Sequence, residues 1–69
     1  MTPEIKRKIA ELGGFARDDK PNEVNFSTRD SAQAFEEWLS EQQIPNSGWI
    51  AGYARYYLTL GRRVYRDEI

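Results

Sequence analysis

The sequence predicts one small α+β domain spanning residues 1–69, and three observations carry that expectation. Ala32, Phe35, Trp38 and Leu39 recur at helical spacing, so residues 28–43 form an amphipathic helix. Val24 and Phe26 alternate with polar neighbours in EVNFS, the period of a half-buried strand. Gly13-Gly14 and the Pro45-Asn46-Ser47-Gly48 run are stop signals that leave no room for a long linker.

The first element is a helix over residues 2–12. Thr2 supplies an N-cap oxygen and Pro3 suits the first helical position, where its missing N–H costs nothing. Ile5, Ile9 and Leu12 form its apolar stripe, and Gly13 or Gly14 ends it in the left-handed conformation. Residues 15–26 then read as a hairpin, with Phe15 opening a weak first strand and Asp18-Asp19-Lys20-Pro21-Asn22 forming the turn. The second helix starts from a Ser27 or Thr28 cap, turns Glu36, Glu37, Glu41 and Gln42 to water, and stops near Gln43.

Residues 46–66 admit two readings. As a helix from Ser47, Ile50, Tyr53, Ala54, Tyr57 and Leu58 fall on one side, and Gly61 stands where a C-cap belongs. As strands, the alternating faces mix apolar and polar residues and separate nothing. The helix is the preferred reading, although Gly48 and Gly52 weaken it and the tyrosine content favours sheet. The expected architecture is therefore helix, β-hairpin, helix, helix and a C-terminal extended segment over 62–66. The runner-up is α-β-β-α-β-β, with two helices on one face of a four-stranded antiparallel sheet and a turn at Leu60-Gly61-Arg62-Arg63. Phe26, Phe35, Leu39, Ile50, Ala54 and Leu58 are expected in the core, with Tyr53 and Tyr57 beside them.

The chain has no histidine and no cysteine. The usual neutral-pH general base, the thiol nucleophile and most transition-metal ligand sets are missing, so neither an enzyme nor a cofactor or metal protein is expected. Asp18, Asp19, Asn22 and Glu23 share a loop, but their spacing fits a solvated turn rather than a calcium loop. No apolar run approaches a membrane span, which points to a cytoplasmic domain without membrane contact.

Charge is nearly balanced overall, with ten Lys/Arg against eleven Asp/Glu. It is uneven along the chain: residues 49–66 hold Arg55, Arg62, Arg63 and Arg66 and no acid. Five of the nine aromatics, Trp49, Tyr53, Tyr56, Tyr57 and Tyr65, lie in the same stretch. Arginine and tyrosine are the residues enriched at protein interfaces. The expected function is thus a non-enzymatic protein-binding module: an inhibitor, adaptor or regulator occupying a surface of a larger protein or complex. Short cysteine-free chains of this kind are common among phage and mobile-element accessory proteins. The partner-binding residues are expected to be Arg55, Tyr56, Arg62, Arg63, Tyr65 and Arg66. A homodimer is a second way to cover such a surface. The alternative function is nucleic-acid binding through the basic aromatic face of residues 49–66, with arginines on phosphates and aromatics stacked on bases; the balanced total charge ranks it second.

Overall fold

A computed structural model describes residues 2–17 and 19–61. The elements follow in the order α1 (Pro3–Glu11), β1 (Phe15–Ala16), β2 (Glu23–Phe26), α2 (Arg29–Glu41), β3 (Ile50–Gly52) and β4 (Arg55–Thr59). The strands form one antiparallel sheet in the order β1-β2-β4-β3.

Local chemistry accounts for the first four elements. Thr2 Oγ1 accepts the Ile5 N–H at 3.2 Å and Pro3 opens α1, so two of the helix's orphan donors are dealt with by composition alone. Gly13 follows at φ +78°, a left-handed backbone that L side chains rarely adopt. Gly14 is required for a different reason. A Cβ there would run into the Phe26 ring and lie 2.9 Å from the Asn25 carbonyl oxygen. Thr28 caps α2 by accepting the Ser31 N–H at 3.2 Å, and Gln43 ends it at φ +59° without the help of glycine.

The centre of the sheet is the β2–β4 pair, in which Val24 faces Leu58 and Phe26 faces Tyr56. Opposed residues of an antiparallel pair share a face, so these four side chains point the same way. Onto that face α2 lays Ala32, Phe35 and Leu39, and α1 adds Ile5 and Ile9. The Phe26 and Phe35 rings stand 5.3 Å apart and tilted, and Trp38 stacks on Phe35 at 6.0 Å. Leu12, Trp38, Ile44, Trp49 and Tyr56 close the rim of this core.

The structure corrects the reading of residues 47–60. In place of a third helix, the chain forms the β3–β4 hairpin, with Ile50 opposite Tyr57 and Ala51 opposite Tyr56. The four-stranded runner-up is therefore the observed architecture, but its turn lies elsewhere. The chain reverses at Tyr53-Ala54, with Ala54 at φ +64°, and Leu60 instead bridges back to Asn46. Ile50, Ala54 and Tyr53 consequently leave the expected core. Ile50 is 48 % exposed, Tyr53 is 97 % exposed at the turn, and Ala54 is exposed beside it. The extended segment expected over 62–66 lies outside the described residues.

What favours strand over helix here is the connection behind it. Ser47 exchanges two bonds with Thr59, its N–H donating to the Thr59 carbonyl at 3.0 Å and its Oγ accepting the Thr59 N–H at 2.9 Å. The Trp49 backbone N–H donates to Glu36 at 3.3 Å, and its indole N–H donates to Gln33 at 2.8 Å. The indole meets Tyr56 edge-on at 5.8 Å. Trp49 thus ties the start of β3 to α2, an attachment that residues sixteen apart make only in the folded chain. Glu36, expected in water, is half-buried as a result.

These placements separate strand from helix in solution. Leu58→Ala removes a fully buried side chain and is expected to cost about 2–5 kcal/mol, a large share of the roughly 3–10 kcal/mol available to a chain of this length. Ile50→Ala is expected to cost about 1 kcal/mol or less, whereas a helix burying both residues would make the two losses comparable. Ala54→Gly relieves the left-handed backbone and is expected to stabilise the protein by about 0.5–1 kcal/mol. Urea denaturation of the three variants measures each value.

Candidate binding face

The same register that directs Val24, Phe26, Tyr56 and Leu58 to the helices directs their neighbours to the opposite face. Phe15 pairs with Asn25, Asn25 with Tyr57, and Tyr57 with Ile50. One row, Phe15–Asn25–Tyr57–Ile50, therefore crosses all four strands over three spacings, about 14 Å. Both helices lie on the other side, and among the described residues nothing is layered on this one. Phe15 is 53 % exposed at one end of the row and Ile50 is about half exposed at the other. Tyr57 is half-buried between them, its ring lying across the bare Cα of Gly52. A Cβ at Gly52 would come within 2.8 Å of that ring, so the glycine fixes where the tyrosine lies.

Asn25 is the polar member of the row and is fully buried. Its Nδ2 donates to Glu23 at 3.4 Å, and its Oδ1 accepts from Arg55 Nη1 at 3.4 Å. Asn25 thereby joins an acid on one side of the row to a guanidinium on the other. Arg17 Nη1 lies 3.9 Å from Glu23, and Lys20 lies 4.0 Å from the same carboxylate. Arg17 is also forked onto Asp19, with Nε–Oδ1 at 3.1 Å and Nη2–Oδ2 at 2.7 Å. This hydrogen bonding, reinforced by the charge of Arg17, holds the Asp19 carboxyl below the usual carboxylate range. Arg17, Lys20, Glu23, Gly52, Tyr53, Arg55 and Tyr57 border an open depression of about 400 Å³.

A second groove of about 510 Å³ runs between α1 and β1, bordered by Lys6, Ile9, Ala10, Gly14, Ala16, Arg17, Pro21 and Asn22. It is the larger of the two, yet it holds no aromatic anchor and its Arg17 is already committed to Asp19. Among the described residues, no three carboxylates converge on a point that would hold a metal ion. No helix among them is long and apolar enough to cross a membrane.

Of the residues expected to meet a partner, Arg55 stands on the open face, exposed and close to Tyr53 and Tyr57. Tyr56 does not join it. As the next residue of β4 it points to the helices and packs on Trp49. Arg62, Arg63, Tyr65 and Arg66 lie outside the described residues. The face draws on Phe15 and Asn25, which lie outside the 46–66 stretch, and on Ile50, which the helical reading of that stretch assigned to the core. The available signal was parity. Once Val24 and Phe26 are taken as inward, Asn25 and whatever pairs with it must point out.

Comparison with known proteins adds no further constraint: no protein-family model matches the chain, and no curated protein or solved structure matches it significantly.

Two measurements probe the polar part of the face. Asn25→Ala removes the link between Glu23 and Arg55 and is expected to cost about 0.5–1.5 kcal/mol, read by urea denaturation. Arg17→Gln removes the charged guanidinium fork from Asp19, and a carboxyl-carbon NMR titration is expected to show Asp19 returning towards about 3.9. Because the folded-state value is the lower one, the stabilisation is present above the unfolded-state value and fades as pH falls through the folded one. Arg17→Gln is therefore expected to reduce the loss of stability on acidification below about pH 4.

Proposed function

We propose that this domain is a non-enzymatic protein-binding module that acts as an inhibitor, adaptor or regulator by pressing the open face of its sheet against a larger protein. The observation that carries the reading is the exposed row Phe15–Asn25–Tyr57–Ile50. An antiparallel sheet with helices on one side normally presents a polar alternation to water on the other. Here the outward positions at both edges are large and apolar, with a tyrosine between them and Tyr53 projecting from the adjoining turn. Removing such surface from water contributes roughly 25 cal/mol per Å², and aromatic and arginine anchors surrounded by polar groups are the composition of binding hot spots. The absence of histidine and cysteine from the whole chain supports the non-enzymatic part of the reading.

A nucleic-acid reading has one observation in its favour: Arg17, Lys20 and Arg55 border the depression together with Tyr53 and Tyr57. Glu23 and Asp19 neutralise two of those three cations, which leaves little charge among the described residues to meet successive phosphates.

The double variant Phe15→Ser/Ile50→Ser tests the assignment. Both side chains are about half exposed, so far-UV circular dichroism is expected to show an intact fold. Affinity capture from the source cell's lysate, read by mass spectrometry with and without nuclease, is expected to retain a protein partner on the parent chain and lose it on the variant. Capture unchanged by the variant rules out this face. Loss on nuclease treatment moves the function to nucleic acid. A concentration-dependent dimer in sedimentation that the variant abolishes makes a second copy the partner.

A further inference from the structure

We infer that the partner presents a carboxylate flanked by apolar side chains, and that Arg55 is the group that receives it. The inference rests on the open face being a protein-docking surface and adds the chemistry of what docks there. Charge pairing across the face supplies the argument. Three cations border the depression, and two are spoken for: Arg17 by Asp19 and Glu23, and Lys20 by Glu23. Arg55 is different. Among the described residues no carboxylate lies within ion-pair distance of it, and its hydrogen bonding is the one 3.4 Å contact to Asn25 Oδ1. A guanidinium carries five N–H donors in a planar fork. One is engaged by Asn25, and the exposed side chain borders the depression beside Tyr57 and Tyr53.

The surroundings decide between a carboxylate and a phosphate. A phosphate track needs several unneutralised cations at regular intervals, and among the described residues this face offers one. Around Arg55 stand Tyr53, Tyr57 and, one strand away, Ile50. Apolar neighbours exclude water when a partner docks, which strengthens a single charge-assisted pair and penalises any partner that leaves the arginine unpaired. A segment with one Asp or Glu between apolar residues satisfies the arginine and the row together. Asn25 acts as a positioning residue: buried and bonded on both sides, it holds the guanidinium against the side of the row that faces away from Glu23.

The test uses a displayed library of random dodecamer peptides, selected in parallel on the parent chain, on Arg55→Glu and on Phe15→Ser/Ile50→Ser. Enrichment on the parent of sequences with an acid between apolar residues is expected. Those peptides should bind Arg55→Glu at least tenfold more weakly, while circular dichroism confirms that the variant folds. Asn25→Ala should weaken the same peptides, by less than Arg55→Glu does. Selected peptides that need Phe15 and Ile50, yet carry no shared acid and bind Arg55→Glu unchanged, would overturn the carboxylate and leave the docking face standing. No enrichment on the parent over Phe15→Ser/Ile50→Ser removes both. Salt-sensitive binding of oligo(dT) that Arg55→Glu abolishes, without peptide enrichment, overturns the inference in favour of phosphate.

Discussion

The register of the β2–β4 pair is the constraint from which the rest follows. Val24 opposite Leu58 and Phe26 opposite Tyr56 put a continuous apolar patch on one side of the sheet, and both helices are held there by burying their stripes against it. Side chains in a strand alternate with a period of two, so the same pairing sends Asn25, Arg55 and Tyr57 to the other side without further instruction. A slip of β4 by one residue would turn Arg55 and Tyr57 towards Phe35 and send Tyr56 and Leu58 to the other face. The core and the open face are thus two consequences of one choice, and neither can be altered alone.

Economy of size makes that choice more consequential. Among the described residues, one layer of helices covers one face of one sheet. The face left over is not made uniformly polar. It holds a fully buried asparagine that joins Glu23 to Arg55, with large apolar side chains at the two edges. Short edge strands, two residues in β1 and three in β3, limit edge-to-edge pairing, which is consistent with the proposed contact through the flat of the sheet. On the proposed reading, an Arg55 guanidinium engaged through one contact trades general stickiness for discrimination, because a partner without the matching charge must strand it.

The errors of sequence reading have a common physical origin. Ile50, Tyr53, Ala54, Tyr57 and Leu58 lie at helical intervals, yet they belong to a hairpin. Strand alternation looked uninformative in this stretch because both faces of β3 and β4 carry apolar groups, one face for the core and one for the open surface. The turn was equally hidden. Tyr53-Ala54 contains neither glycine nor asparagine, although Ala54 takes up the left-handed backbone those residues normally supply, while the visible glycine at Gly61 sits beyond the strand. Gly52, which weakened the helix, is explained by the Tyr57 ring that lies over it.

By itself the sequence determined the elements whose stabilising groups are neighbours in the chain. These are the Thr2 cap and Pro3 start of α1, the Thr28 cap and apolar stripe of α2, the alternation of β2, and the α+β class that follows from them. Of the surface residues expected towards the C-terminal end, Arg55 is exposed, whereas Tyr56 is turned to the helices. Tertiary structure alone decided that residues 50–59 are strands, because the groups that hold them there are distant ones: Glu36 and Gln33 on Trp49, and β2 against β4. It alone brought Phe15, from one edge of the sheet, into a row with Ile50 at the other. It also turned Tyr56 and Tyr57, adjacent in sequence and indistinguishable there, to opposite sides, since a strand in register with a partner allows each residue only one face.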